Sequence, residues 1–461
     1  MSRAKRPGFW DAHFFREFVT LSVPIILSNL MGASLHIVDN IMVGSLGEVE
    51  LASVAQANQM AFIVRITLFG VSSGCAIFAA QHWGKQDIPG VRRAMGISIL
   101  SALVMCGIAS FWATIMPDSF MRIYSPDPAV IALGTDYLRI VGPTFLFTGV
   151  SAIYNAANRS TERVRINMVA SVVSIAINTF LNWCLIFGNL GFARMGVRGA
   201  ALATAIAAGC EAVIQIGWTY LRRYPAAARL RELLPGSAKF VAAYYKVAVP
   251  VLLNEGFWAV GTSMYAAIYG RMSTQSVAAM NVFGTVEQLI LAAVFGTMNA
   301  ASVMVGKRIG AGKIEEAVDY AKRMLATGVA LALAMGAVLL LIRQPVLTLF
   351  NISPAAKEAA AQVMLVSALV LSMRAFNAVN IVGVLRAGGD AVFSMLLDGG
   401  AVWVIGIPMA FLGGLVLKLP LPFVFLMIQM EELAKVVLGM ARFRSRKWIN
   451  SLVREGNGEQ E

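Results

Sequence analysis

Runs of about twenty mostly apolar residues recur along this chain about a dozen times, and short polar, basic stretches separate them. A helix needs ~20 such residues to cross the hydrocarbon core of a bilayer. The pattern predicts helices at about 18–43, 51–80, 94–116, 130–157, 166–188 and 199–220. It resumes at about 247–270, 277–305, 324–349, 358–384, 393–415 and 422–440, which makes twelve. The fold class expected is an all-α membrane protein.

The charges fit that threading. With both termini on the cytoplasmic side, 27 of the 38 Lys and Arg residues fall in the inside segments and 7 in the outside loops. Basic residues favour the cytoplasmic side, so an even number of spans is expected. The remainder lie within the helices: Arg65, Arg139, Arg374 and Lys435.

The two halves repeat. "VPIILSNL" from Val23 resembles "VPVLLNEG" from Val249, and an offset of 226 carries Pro24 to Pro250. The same offset carries Gly44 to Gly270, Phe69 to Phe295, Gly70 to Gly296 and Gly84 to Gly310. Slightly changed offsets carry Arg159 to Arg386, Ser174 to Ser394 and Trp183 to Trp403. The expected architecture is two pseudo-symmetric six-helix bundles that enter the membrane in the same direction. In such folds a substrate site lies near the midplane between the halves. The organisation predicted is an N-terminal interfacial segment over 1–17, an N-lobe over 18–220 and a cytoplasmic linker over 221–246. A C-lobe over 247–440 and a cytoplasmic tail over 441–461 follow.

Composition narrows the class further. The chain is 58% hydrophobic and 14% charged, against roughly 25% charged in a soluble domain. The net charge of +13 is spread over loops, so membrane topology accounts for it and a nucleic-acid partner is not expected. The N-terminus lacks the apolar core and cleavage site of a signal peptide. Cys75, Cys106, Cys184 and Cys210 lie in apolar helices and are expected as buried thiols; His13, His36 and His82 are too scattered for a metal site. "GKRIGAGKI" at 306–314 has the wrong spacing for a nucleotide loop, and Lys313 precedes Ile. A secondary transporter, with no cofactor and no enzymatic step, is the expectation.

Polar groups inside apolar helices are then the candidate chemistry, because an ionised residue at the bilayer centre costs from ~2.5 to more than 10 kcal/mol. Asn29, Gly32, His36 and Asp39 share one face of the first helix. Asp39 either works in a cavity or is solvated near the helix end. Glu255, Trp258, Thr262, Tyr265 and Tyr269 share a face of the seventh. There a carboxylate among rings suits a proton site or a cation-binding wall, or else a salt bridge to an Arg such as Arg374. Pro24 and Pro250 are helix kinks that either shape packing or bend in transport. Asn178 and Asn182 lie four apart, and the repeat sets Asp398 against Asn178. These oxygens suit Na⁺, or simple interhelical hydrogen bonds. Glu287 and Gln288 are candidates to line the cleft; Glu431 and Lys435 are spaced to pair with each other. The small residues of "GAALATAIAAG" indicate close helix packing only.

At this point the chain resembles the multidrug and toxic compound extrusion family, across essentially its full length. The likeness rests on "VDNIMVGSLG", "AQHWGK", "INTFLNWCLIFG", "GVRGAALATA", "VPVLLNEG" and "GVLRAGGD". It implies a bacterial inner-membrane protein, monomeric, exporting small organic compounds by antiport against H⁺ or Na⁺. It places Asp39, Asn178 and Asn182 at the family's N-lobe cation site and Glu255 at a C-lobe carboxylate position. Where one branch has a further Asp, this chain has Asn377. With the polar residues read above, the substrate cleft is expected to hold Asn29, His36, Trp258, Thr262, Tyr265, Glu287, Asn377 and Asp398, and an acidic, aromatic cleft favours lipophilic cations. The major facilitator signature fails here, because Asp87 follows Gly84 by three residues and not four. Lipid-linked sugar flippases of the wider superfamily usually carry fourteen helices; an amphiphile flippase on the same fold is the alternative reading.

Overall fold

Why the helices stop where they do follows from local chemistry. Asp87, in the stretch that nearly matches the facilitator signature, accepts a hydrogen bond from the Gly90 amide at 3.0 Å and caps the third helix, with Pro89 in its first turn. Gly188, at φ 80°, ends the helix over Val164–Phe187. Pro143 lacks an amide hydrogen, and there the expected helix over 130–157 breaks into two segments bent by 51°.

The computed structural model describes residues 11–350 and 352–455, with the side chains of residues 36, 37, 454 and 455 outside that description. Most of the N-terminal segment expected over 1–17, and the end of the tail, therefore lie outside it. The helices are α1 (Ala12–Gly44), α2 (Glu48–Gly84), α3 (Ile88–Ile115), α4 (Pro117–Tyr124), α5 (Pro128–Val141) and α6 (Thr144–Ser160). Next come α7 (Val164–Phe187), α8 (Val197–Leu221), α9 (Ala238–Met272), α10 (Thr274–Gly310), α11 (Ile314–Thr348) and α12 (Pro354–Asn377). The last are α13 (Ala391–Ala401), α14 (Ile407–Phe411), α15 (Leu421–Ile428), α16 (Met430–Arg444) and α17 (Leu452–Glu455). A π-helical stretch, Ala378–Leu385, continues α12, and two more flank α14.

Among the described residues nine helices are long and apolar enough to cross a membrane, or ten if the bent α5–α6 pair is one span. The chain is an all-α membrane protein. Two further predicted spans are helical but fall short of that measure. In α9, Asn254 and Glu255 interrupt the apolar run; the last predicted span is divided between α15 and α16 around Gln429.

The chain packs as two units. One holds residues up to Ile26, Ala80–Gln86 and Val249 onward; the other holds Leu27–Ala79 and Asp87–Ala248. The unit boundaries in α1 and α9 lie within two residues of Pro24 and Pro250, although both helices run on through the proline. In the second unit, α7 packs along α8 and α3 along α6 around a core that includes Met95, Cys106, Met121 and Ile153. The segment expected as a linker also docks here. Glu232 accepts from Arg92 at 2.7 Å, and Arg92 donates to the Pro225 carbonyl at 3.1 Å. Hydrogen bonds from the Arg229 amide and Arg92 hold the Glu232 carboxyl below its usual range.

In the first unit, α11 packs on α12, and α10 on α11, around Phe283, Met364, Leu371 and Phe425. Asp11, just before α1, accepts from the Phe14 amide at 2.8 Å and from Arg323 at 2.8 Å. Those contacts, the amide first, lower its carboxyl. Gln81 of "AQHWGK" fastens the C-terminal segment: its amide donates to the carbonyls of Ala387 and Asn450, and its oxygen accepts from the Leu452 amide at 2.9 Å.

The repeated glycines Gly84 and Gly310 meet in the same unit. A Cβ built on Gly84 would overlap the Lys307 carbonyl oxygen, and one on Gly310 would overlap that of Gln81. The ends of α2 and α10 thus touch backbone to backbone. Either Gly→Ala substitution should destabilise the protein by roughly 1–3 kcal/mol, the range for forced overpacking. The check is the thermal midpoint of each purified variant in detergent.

Candidate functional site

In the unit holding Leu27–Ala79 and Asp87–Ala248, α1 and α7 bring three of the predicted residues together. Asn178 and Asn182, one helical turn apart, are both buried. The Asn182 amide nitrogen donates to Asp39 Oδ1 at 2.6 Å and to Asn178 Oδ1 at 3.0 Å. Asn178 in turn donates to Thr204 Oγ1 on α8 at 3.4 Å. Asp39 is half-buried. The Asn182 oxygen is buried with no hydrogen-bond partner among the described residues. A buried, unpaired carbonyl-type oxygen next to a carboxylate is costly unless something cationic or protic visits it. The donor set is one carboxylate, two amides and a hydroxyl. It suits a proton on Asp39, or a hard cation held largely by neutral oxygens. Among the described residues no cluster of three His, Cys, Asp or Glu exists to hold a transition metal.

A second polar line crosses the same unit. Ser28 on α1 donates to Ser171 on α7 at 3.2 Å, and Ser171 donates to the Glu211 carboxylate on α8 at 3.3 Å. Glu211 is not among the candidates read from the sequence, where the small residues before it indicate close packing. The signal was there: a single carboxylate in the middle of the apolar run "ATAIAAGCEAVIQIG".

In the other unit the predicted residues join an ion network. Glu255 pairs with Arg386 at 2.8 Å, and the partner expected for it, Arg374, pairs instead with Glu287. Arg386 lies 3.7 Å from Asp398, and Lys435 lies 3.1 Å from the same carboxylate. Lys435 does pair with Glu431, at 3.6 Å, and equally with Glu432. Asn254 donates to Asp398 at 3.0 Å, Tyr265 to Glu431 at 2.6 Å, and Asn377 to Glu432 Oε2 at 2.6 Å. Asp398, a candidate cation ligand in the sequence, thus lies among two cations and an amide. Arg386 and Lys435 are buried at 1% and 3% exposure, which makes them structural counter-charges and not surface residues.

The other candidates are placed more plainly. Asn29 and Trp258 are exposed, and the Thr262 hydroxyl donates to its own helix at Ala259. The side chain of His36 lies outside the described residues. The four cysteines are free thiols, three of them buried.

Comparison with known proteins bears on the family and the fold. A family model, MatE, matches residues 24–184 and 250–412. The chain is 22% identical to a probable multidrug resistance protein NorM of Thermotoga maritima, over 94% of this chain and 93% of the relative. It is 24% identical to the multidrug resistance protein PmpM of Pseudomonas aeruginosa, over 87% of this chain and 84% of that one. A solved outward-facing multidrug resistance MATE family transporter of the MOP superfamily superposes with a TM-score of 0.85 at 20% identity, covering 94% of this chain and 96% of that one. A MOP superfamily transporter from Pyrococcus furiosus, described as having a binding pocket of reverse polarity, superposes with a TM-score of 0.85 at 19% identity, covering 94% and 95%. These likenesses to solved structures establish the fold.

Proposed function

We propose, from the premise that this chain belongs to the MatE family of membrane transporters, that it is a secondary active efflux transporter driven through Asp39. It exports small organic, lipophilic cationic compounds by antiport with H⁺ or Na⁺ across a bacterial inner membrane, with both termini cytoplasmic. The relatives named as multidrug resistance proteins support the efflux reading. A transporter of this kind catalyses no covalent reaction.

One observation carries the assignment of the coupling group. Asp39 accepts from the amide nitrogen of Asn182, whose own oxygen has no hydrogen-bond partner among the described residues. Glu255 instead meets a buried guanidinium. A carboxylate already neutralised by an ion pair gains little from binding a proton or a sodium ion, because the pair must break first. A carboxylate with only neutral partners gains the full interaction. The N-terminal half therefore carries the coupling ion in this reading, and the network around Glu255 holds its own half together. Glu211, on the serine line in the same unit, is a further carboxylate that accepts from a neutral hydroxyl.

The test is uptake of a fluorescent lipophilic cation into proteoliposomes of the purified protein, under a pH gradient or a Na⁺ gradient imposed separately. Transport under one gradient names the ion. No transport under either would overturn the cation-antiporter reading in favour of an amphiphile flippase on the same fold.

A further inference from the structure

We infer that the unit holding Leu27–Ala79 and Asp87–Ala248 carries a binding site for the phosphate headgroup of an anionic phospholipid, where α7 begins and α8 ends. A cavity of about 500 Å³ opens there, lined by Arg163, Arg165, Arg222, Arg223, Trp218 and Tyr224 among others, and no Asp or Glu lines it. All four arginines are exposed. The Arg163 guanidinium lies over the Tyr224 ring at 5.2 Å from its centroid, and that of Arg222 over Trp218 at 5.5 Å. Stacking orients a guanidinium and leaves its N–H edge free to grip a phosphate in two places.

The sequence places these residues for local reasons. Arg163 forms the N-terminal cap of α7 and Arg165 lies in its first turn. Arg222 caps the C-terminus of α8; Arg223, at φ 50°, turns the chain so that the Tyr224 amide returns to the Thr219 carbonyl at 3.0 Å. Because α7 and α8 pack along each other, both pairs of arginines reach the same end. Four like charges around one concavity repel each other. Orienting a protein in the membrane needs basic residues on one side only, and not in one cavity.

The surroundings decide between a lipid and a soluble anion. Both helices are candidate membrane spans, so the cavity lies where they leave the bilayer. Trp218 is a typical interfacial residue, and the exposed apolar side chains of Val169 and Leu221 stand beside the arginines. Basic pockets between spans at the membrane surface suit anionic lipid headgroups. A free phosphate would use the arginines but not the apolar rim. The inference does not depend on the transport reading.

The experiment is native mass spectrometry of the delipidated full chain in detergent, titrated with phosphatidylglycerol or with phosphatidylcholine. Wild type should bind phosphatidylglycerol in preference. Each arginine removed should weaken that binding about fivefold. The double variant Arg163→Gln/Arg222→Gln should therefore lose about twenty-fivefold, with phosphatidylcholine binding unchanged. Inorganic phosphate at millimolar concentration should not displace the lipid. Equal binding of the two lipids by wild type, or unaltered phosphatidylglycerol binding by a folded double variant, would overturn the site. Displacement by inorganic phosphate would make it a soluble-anion site and overturn the lipid assignment. Should the double variant fail to fold, the wild-type lipid contrast and the phosphate competition still decide.

Discussion

Asp39→Asn should reduce gradient-driven transport to the level of empty liposomes, while expression and monodispersity stay near wild type. The substitution is nearly isosteric. Asn182 donates to Asp39 Oδ1 at 2.6 Å, and an amide oxygen at the same place can accept that hydrogen bond. What disappears is the only charge in the cluster of Asn178, Asn182 and Thr204. A group that is neutral in both states has no differential affinity for a proton or Na⁺, so an ion gradient can no longer bias one conformation over another. Folding should not suffer, because removing a charge from an apolar helix lowers a cost of ~2.5 kcal/mol or more. Glu255→Gln provides the contrast, since it opens an ion pair with a buried arginine. It should lose stability first and transport in proportion. Wild-type transport by Asp39→Asn would sink the coupling assignment; loss in Glu255→Gln alone, with stability intact, would move it to the other half.

The second large effect is on stability. Lys435→Met should destabilise the protein by about 3–5 kcal/mol, the cost of removing one partner from a buried ion pair. Lys435 is 3% exposed and lies within 3.6 Å of Asp398, Glu431 and Glu432. Its loss leaves three carboxylates with Arg386, Tyr265, Asn254 and Asn377 as their remaining partners. A methionine fills the volume, so the penalty is electrostatic and not a cavity. Adding Glu432→Gln to Lys435→Met should therefore recover part of the loss, although Glu432→Gln alone should destabilise. A double-mutant cycle on thermal midpoints in detergent measures that coupling. Additive losses would show that the network around Lys435 does not act as a unit.

The helices were legible because each rule behind them is local. Apolar runs of spanning length located them, and the 226-residue repeat foretold that Pro24 and Pro250, and Gly84 and Gly310, are counterparts. Asn178 and Asn182 were found by a four-residue spacing that keeps two side chains on one face. Asp39 stood out as a charge in an apolar helix. Glu211 satisfies the same rule, although the alanines and glycine before it read as a packing surface. The break at Pro143 was also written in the chain, as a proline inside an apolar run.

The partners were not legible. Arg386 reads in the sequence as one more basic residue of an inside loop, and Lys435 as a neighbour for Glu431. Whether Glu255 meets Arg374 or Arg386 depends on how α9 is turned against the end of the π-helical stretch that follows α12, across 131 residues of chain. No periodicity records that rotation; a π turn shifts every later side chain around the axis relative to an α-helix. The sequence by itself determined the membrane class, the span pattern, the repeat, and Asp39 and the pair of Asn178 and Asn182 as separate polar features of apolar helices, because hydrophobicity and helical spacing act within one element; their meeting, with Thr204, is tertiary. Only the tertiary structure decided which carboxylates are neutralised by cations and which is left to amides, because a charge pairs with whatever the packing of separate helices brings within a few ångströms.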